Sequence, residues 1–224
     1  MNQTPTLAEE LSTYKASFKA RVAPERLATM ENATAQLRAS GIEHRALRQG
    51  DRAPALTLPD ATGIPIELAP LWQRGALVLV FYRGGWCPYC NLELRAWQRT
   101  LARLGALGGS LVAISPQTSD NSLTTAEKNA LAFPVLSDTA LQAAEAFGVA
   151  FELPPELVAL FSGVGNDLPV INGNGKWVLP IPATYVIGTD GRIAFAHVEA
   201  DYRERAEPDD VLGAVERIRS SAAA

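Results

Sequence analysis

Hydrophobic positions near the start of the chain follow a helical period. Between residues 6 and 40, apolar side chains recur every three to four positions: Leu7, Leu11, Tyr14 and Phe18. Pro24 interrupts this region and suits the first turn of a second helix, which we expect to end at Gly41. The pattern predicts an N-terminal helical arm, residues 1–48, whose apolar stripe forms a dimer or packs across the following domain.

A β-α-β pattern dominates the predicted main domain, residues 49–224. Residues 76–82 form a continuous apolar run of the kind found in strands buried on both faces. Residues 88–105 carry apolar side chains at helical spacing, and residues 110–115 form a second buried strand. Since parallel strands need a crossover connection, we expect these two strands to pair in parallel. The fold class is therefore α/β.

The second half of the chain predicts strands, helices and one insertion. Residues 151–180 break the alternation, and Asn172 to Gly175 has the composition of a β-hairpin turn between Val170-Ile171 and Trp177-Val178. We interpret residues 151–180 as an insertion that contains this hairpin. Residues 183–198 predict a closing antiparallel hairpin, and residues 208–219 a last helix. The expected architecture is a central mixed sheet flanked by helices.

Composition excludes several function classes. The chain has 24 acidic against 20 basic residues, a net charge of -4, which offers no basic field for nucleic acid. No apolar run approaches the roughly 20 residues needed to span a bilayer. The first residues lack the apolar core of a signal peptide, so we expect a cytoplasmic protein without nucleic-acid or membrane partners.

The two cysteines of the chain, Cys87 and Cys90, are the candidate chemistry. They form a C-x-x-C motif after a buried strand and a glycine turn, and Pro88 suits the first position of a helix. Residues three apart on a helix share a face, near the Cα separation of about 5.5 Å that a disulfide prefers. The helix N-terminus favours a thiolate. We expect no metal and no cofactor, because only His44 and His197 are available to complete a zinc site.

The motifs around the cysteines resemble two related families. The segment WCPYC resembles the active-site turn of thioredoxins and glutaredoxins, while Gly50 to about Ile218 resembles the peroxiredoxins of the alkyl hydroperoxide reductase and thiol-specific antioxidant group. The peroxiredoxin likeness depends on the opening Gly-Asp-Arg-Ala-Pro, on Phe81-Tyr82 and on Glu93. It implies a thioredoxin-like fold and a thiol-based antioxidant activity.

The peroxiredoxin resemblance also implies roles for the two thiols. Aligned on Phe81-Tyr82, the peroxide-attacking cysteine falls at Cys90, with Cys87 at the family's threonine and Arg83 at its proline. Cys90 would attack a hydroperoxide, and Cys87 would resolve the sulfenic acid as a disulfide. The arginine that the family carries on a late strand is missing from the corresponding region, so Arg83 becomes the candidate replacement cation.

Further site residues follow from the same resemblance. Tyr82 and Trp86 are candidates to line a substrate pocket with Arg83 and Glu93. Ile181-Pro182 resembles the cis-proline turn that faces C-x-x-C in thioredoxins, and it predicts a cis Pro182 beside Cys87 that presents the Ile181 backbone to substrate.

Three functions remain open from the sequence. The first is a hydroperoxide-reducing thiol peroxidase, recycled by a thioredoxin- or glutaredoxin-type dithiol. The second is a protein disulfide oxidoreductase in which Cys87 attacks a disulfide and Cys90 resolves the mixed disulfide. The third is a non-enzymatic redox-sensing module that binds a partner in one oxidation state. We expect a homodimer.

Overall fold

A computed structural model of the chain describes residues 5–222. Residues 1–4 of the predicted arm and residues 223–224 of the predicted main domain lie outside this range. The helices are α1 (Leu7–Lys19), α2 (Pro24–Ala39), α3 (Ile42–Arg45), α4 (Leu68–Arg74), α5 (Pro88–Ala106), α6 (Ser119–Lys128), α7 (Gln142–Ala146), α8 (Pro155–Ser162), α9 (Leu168–Ile171) and α10 (Pro208–Ala222). The strands are β1 (Thr57–Pro59), β2 (Pro65–Glu67), β3 (Leu77–Phe81), β4 (Ser110–Ser115), β5 (Val135–Ser137), β6 (Ala150–Glu152), β7 (Val178–Pro180), β8 (Ala183–Ile187) and β9 (Ile193–Val198).

A five-stranded mixed sheet forms the centre of the fold. Its strand order is β5-β4-β3-β8-β9. Strands β3, β4 and β5 run parallel, whereas β8 is antiparallel to both β3 and β9. The predicted parallel pairing of the two apolar strands is confirmed, as is the closing antiparallel hairpin. The thioredoxin-like α/β class is confirmed with them.

The continuous apolar run of β3 arises because both faces of the sheet are covered. Alternate side chains of β3 enter two separate cores: Val78 and Val80 pack with α5 and α10, while Leu77 and Leu79 pack with α4 and α7. Every residue of β3 is buried. Successive side chains of a strand point to opposite faces of the sheet. A strand is therefore apolar at every position only when both faces are covered.

The predicted hairpin in the insertion is wrong. Residues Leu168–Ile171 form the short helix α9, and Val178–Pro180 pairs antiparallel with Ala150–Glu152. Pro169 lies in the first turn of α9, where its missing N–H costs nothing. The segment from Asn172 to Gly175 therefore connects a helix to a strand instead of joining two paired strands.

The N-terminal arm packs on its own chain. Helix α1 begins with Thr6, whose hydroxyl accepts from the Glu9 amide in a capping box. Leu7 and Leu11 are buried in the core shared with α5 and α10, and the Tyr14 ring meets the Tyr89 ring edge-on at 5.0 Å. The stripe thus packs along α5, with Tyr14 beside Tyr89 near its start and Leu7 beside Thr100 in its second half. The division into arm and main domain at residue 48 stays a prediction.

Removing one side chain of this stripe should be costly. We expect Leu11→Ala to lower the free energy of unfolding by about 2–5 kcal/mol, because the cavity it leaves in a packed core adds to the lost transfer energy. Leu123→Ala, at a partly exposed position of α6, is the matched control and should change it by about 0.5 kcal/mol or less. Urea unfolding measures both, and equal effects would contradict the packing of α1 described above.

Within residues 5–222, no helix combines the length and apolarity that crossing a membrane requires.

Candidate active site

The two thiols lie at the point where β3 leads into α5. The Tyr82 amide still donates to the Ile114 carbonyl at 2.9 Å, so the sheet extends to the edge of the site. Cys87 is the N-cap of α5, Pro88 is its first residue, and Cys90 follows in the first turn. Both cysteines are free thiols and both are buried. The predicted placement of C-x-x-C at a helix N-terminus is confirmed.

The two cysteines change each other's protonation in opposite directions. The neighbouring Cys90 thiol lowers the pKa of the Cys87 thiol, against the opposing effect of burial. Burial first, and then the Cys87 sulfur, raise the pKa of Cys90 above its usual range. The pair therefore holds one shared proton, with the negative charge on Cys87.

A buried arginine contacts Cys90 from the other side. Arg205, in the loop between β9 and α10, places Nη2 at 3.5 Å from Cys90 Sγ and Nε at 2.6 Å from Glu93 Oε2. The side chains of Arg205 and Glu93 are 1% and 0% exposed. The negative charge of Glu93 raises the pKa of Arg205 against the opposing effect of burial, so the guanidinium stays charged beside the sulfur.

Glu93 holds this arginine in place. Burial raises the pKa of Glu93 to about 7, although the Arg205 guanidinium acts in the opposite direction. Arg205 also donates to the carbonyls of Tyr202 and Glu204, which fix the loop around it. The guanidinium is thus hydrogen-bonded to α5 and to its own loop, and its Nη2 donates to Cys90 Sγ.

The sequence does not predict an arginine beside Cys90 and offers only Arg83 as a replacement cation. The structure places Arg205 there, from the loop beyond the last strand. Arg205 stands in the charged run Tyr202 to Glu207, which is typical of a solvated loop. The one signal for the role of Arg205 is that a buried Glu93 carboxylate needs a cation. The burial of Glu93 is known only from the structure.

The cis-proline prediction is wrong as well. Every peptide bond in residues 5–222 is trans, that of Pro182 included. The chain runs from β7 to β8 without reversing, and the Ile181 amide donates to the Val149 carbonyl at 2.9 Å. Pro182 joins two extended segments, for which a trans bond suffices. Because its amide is already used, Ile181 offers no backbone donor to a bound peptide.

An amide network fixes the glycine turn in front of Cys87. The Gly85 amide donates to Gln117 Oε1 at 2.7 Å, and Asn91 Nδ2 donates to the Gly85 carbonyl at 2.8 Å. A Cβ on Gly85 would lie 2.2 Å from Thr125 Oγ1, so a larger residue does not fit. The turn and the first turn of α5 are therefore held as one unit.

Two cavities adjoin this turn. One, of about 140 Å³, is bordered by Cys87, Trp86 and Arg83 together with residues of α1, α2 and α8. The other, of about 210 Å³, is bordered by Arg83 and Pro182 and by further residues of α2 and α8. The arm and the insertion therefore build the walls above Cys87, and Cys90 lies behind it.

The predicted pocket residues separate into two groups. Arg83, Trp86 and Pro182 border the cavities. Tyr82 lies in the core behind the thiols, where burial raises its pKa to about 12, and Glu93 acts on Arg205. Their roles in substrate binding stay predictions.

Alkylation rates test whether the two thiols share one proton. We expect iodoacetamide to modify Cys87 faster than Cys90 at neutral pH. The rate of Cys87 alkylation should stay high below a pH of about 8.5, at which an ordinary thiol is half ionised. A lowered pKa keeps the thiolate as the pH falls, so the profile moves to lower pH. Cys90→Ala removes the neighbouring thiol that lowers the pKa of Cys87, so the pH profile of Cys87 alkylation should move to higher pH. Peptide mapping by mass spectrometry over a pH series measures this, and identical profiles would contradict the shared proton.

A thioredoxin-like sheet with a C-x-x-C pair at a helix N-terminus and a buried arginine on one sulfur defines a thiol-dependent redox enzyme. The AhpC/TSA family pattern matches residues 49–196. The chain therefore belongs to the AhpC/TSA family. As a peroxiredoxin-like member of this family it is a thiol peroxidase, which confirms the peroxidase activity of the first function.

Individual relatives agree with this assignment. A putative peroxiredoxin of Mycobacterium tuberculosis is 32% identical over 149 residues, which are 66% of this chain and 91% of that protein. Peroxiredoxin Bcp of Escherichia coli is 34% identical over 103 residues, 46% of this chain and 65% of that protein.

Solved structures share the fold. The crystal structure of peroxidoxin BcpB from Mycobacterium tuberculosis matches with a TM-score of 0.59 and 24% identity, over 78% of this chain and 97% of that one. A peroxiredoxin-like protein from Aquifex aeolicus matches with a TM-score of 0.61 and 18% identity, over 77% of this chain and 88% of that one. At these identities the likeness concerns the fold alone.

Proposed function

We propose that in this thiol peroxidase Cys90 attacks the hydroperoxide and Cys87 resolves the product. The contact between Arg205 and Cys90 Sγ carries this assignment. A fixed guanidinium beside Cys90 stabilises its thiolate and the negative charge that moves onto the peroxide oxygens in the transition state. Because Glu93 and the loop carbonyls already orient Arg205, this stabilisation needs no rearrangement during the reaction.

Cys87 serves first as the proton acceptor. At rest Cys87 is the thiolate and Cys90 the thiol, because the pKa of Cys87 is lowered and that of Cys90 is raised. Transfer of that proton to Cys87 gives the Cys90 thiolate, which attacks one peroxide oxygen while the O–O bond breaks. The leaving alkoxide takes this proton from Cys87 and departs as the alcohol, which restores the Cys87 thiolate, and Cys90 becomes a sulfenic acid.

Cys87 then acts as the resolving thiol. Its thiolate attacks the Cys90 sulfur, the disulfide forms and hydroxide leaves, which takes a proton to become water. Counted from one thiolate and one thiol, the sequence consumes one hydroperoxide and one proton and yields one alcohol, one water and one disulfide. An external dithiol then reduces the disulfide at Cys87, the sulfur that borders a cavity.

A reversed assignment has its own support. Cys87 carries the negative charge and borders a cavity, whereas Cys90 is fully buried. If Cys87 attacked, the chain would work like a thioredoxin, and a disulfide would be an equally good substrate. The occupied amide of Ile181 and the trans bond of Pro182 argue against peptide binding of that type.

A coupled assay tests the peroxide reduction on which the proposal rests, and the cysteine variants in the Discussion test the roles of the two thiols. NADPH consumption is followed with hydrogen peroxide or an alkyl hydroperoxide in the presence of a thioredoxin or a glutaredoxin system. We expect consumption to depend on the peroxide and on one of the two dithiols. Consumption with a protein disulfide substrate and none with either peroxide would contradict it.

The reductant, the oligomeric state and the location stay predictions. A thioredoxin- or glutaredoxin-type dithiol and a cytoplasmic location fit an enzyme that must be recycled by a reducing pool. The apolar stripe of α1 packs on α5, so it gives no argument for the expected homodimer. Light scattering on the purified chain measures the mass directly.

A further inference from the structure

Arg83 is a buried cation whose guanidinium has aromatic neighbours instead of an anion. It is 5% exposed, and its Nε has no hydrogen-bond partner in the described part of the chain. Its Cζ lies 4.5 Å from the ring centroid of Tyr202, 5.0 Å from Trp86 and 5.6 Å from Phe161. Among residues 5–222, no carboxylate forms an ion pair with it.

Aromatic faces stabilise the charge of Arg83 but leave its donors unused. A guanidinium has five N–H groups in a plane, and a ring face offers them no oxygen acceptor. A buried charge without a partner is costly. The other buried arginine of the site, Arg205, has a carboxylate and two carbonyls. Arg83 therefore has the chemistry of an anion-binding group.

The cavity of about 210 Å³ beside Arg83 is mostly apolar. Its apolar lining comes from α2, from α8 and the strand before it, and from the segment before β8: Met30, Ala33, Leu37, Phe151, Leu157 and Ile181. Its volume is below the roughly 300–1,000 Å³ of pockets for drug-sized ligands, so it suits a small molecule. The exposed carboxylate of Glu152, which also borders the cavity, disfavours multiply charged anions.

We propose that Arg83 and this cavity bind a small carboxylic acid with an apolar tail. A carboxylate matches the planar guanidinium with two parallel hydrogen bonds. The tail lies among the apolar side chains of α2 and α8. The proposal goes beyond peroxide reduction and holds whichever cysteine attacks.

Binding at Arg83 is coupled to the thiol pair. The charge of Arg83 helps to stabilise the Cys87 thiolate, and both residues border the smaller cavity. A bound carboxylate neutralises that charge and so makes the thiolate less favourable. An apolar acid is therefore a ligand that slows the reaction of Cys87.

Calorimetric titration of the reduced full-length protein with octanoate tests the site. We expect saturable binding of one octanoate, and at least about tenfold weaker binding of 1-octanol and of inorganic phosphate, because each lacks one half of the ligand. Arg83→Met should weaken octanoate binding about tenfold or more, since methionine keeps the apolar length without the charge. Arg74→Met, at an exposed position of α4, is the matched control and should bind like the parent protein.

A second variant tests the apolar half. Ala33→Leu adds volume inside the cavity and should weaken octanoate while Arg83 is kept. Octanoate should also slow the alkylation of Cys87 in the parent protein but not in Arg83→Met. No octanoate binding, equal binding by Arg83→Met, or phosphate binding as tight as octanoate would overturn the proposal.

Discussion

Cys90→Ser is expected to abolish peroxide consumption, whereas Cys87→Ser is expected to consume about one equivalent and then stop. This is the expected result if Cys90 makes the attack and Cys87 only resolves the sulfenic acid. Serine keeps the size of the side chain and removes the nucleophile, so both variants should fold. Stopped-flow or end-point titration with hydrogen peroxide, in the absence of added dithiol, measures the stoichiometry.

Consumption of peroxide by Cys90→Ser at the parental initial rate, with no reaction in Cys87→Ser, would reverse the roles. That outcome would move the chemistry to the sulfur that borders a cavity. The parent protein serves as the control, since it should consume about one equivalent and end with the Cys87–Cys90 disulfide.

Arg205→Met is expected to lower kcat/KM for peroxide by about 10²–10³-fold, the usual cost of removing one preorganised donor to a developing negative charge. Within residues 5–222, Arg205 is the only residue whose side chain donates to Cys90 Sγ. Arg103→Met, which breaks the exposed ion pair between Arg103 of α5 and Asp209 of α10, is the matched control. It should keep the parental rate, as measured by the coupled assay.

The single variant leaves Glu93 buried without a partner, so stability must be separated from chemistry. The double variant Glu93→Gln/Arg205→Met removes both charges and should be folded by circular dichroism yet remain as slow as the single variant. Parental activity in this double variant would show that the guanidinium has no part in the reaction.

Local sequence patterns were sufficient for the sheet core and for the thiol pair. The apolar run of β3 and the helical spacing of α5 each express one strong periodicity, and the parallel pairing follows from the crossover between them. The position of Cys87 and Cys90 follows from Pro88 at the start of a helix. These features depend on neighbours in the chain, which a sequence displays directly.

Features that depend on distant contacts were not predictable. Arg205 meets Glu93 across 112 residues, and nothing local distinguishes it from a loop arginine. The turn-like residues from Asn172 to Gly175 fit a hairpin, but the strand partner of Val178–Pro180 proved to be Ala150–Glu152. Tertiary pairing overrode the local signal.

The arm and the insertion can be recognised in the sequence, but their contacts with the site cannot. The sequence identifies both as additions, and the apolar stripe of α1 predicts packing. Their convergence on Cys87 and Arg83 appears only in three dimensions, where α2 and α8 face each other across the cavity. Additions to the fold thereby define the surroundings of the site.

The most direct test of the central claim is the position of the first oxidised sulfur. The Cys87→Ser protein is treated with one equivalent of hydroperoxide in the presence of a dimedone-type reagent, digested, and sequenced by tandem mass spectrometry. We predict one adduct, on Cys90, and no adduct on the Cys90→Ser protein under the same conditions. An adduct on Cys87 of the Cys90→Ser protein, with Cys90 unmodified in Cys87→Ser, would contradict the assignment of Cys90 as the attacking thiol.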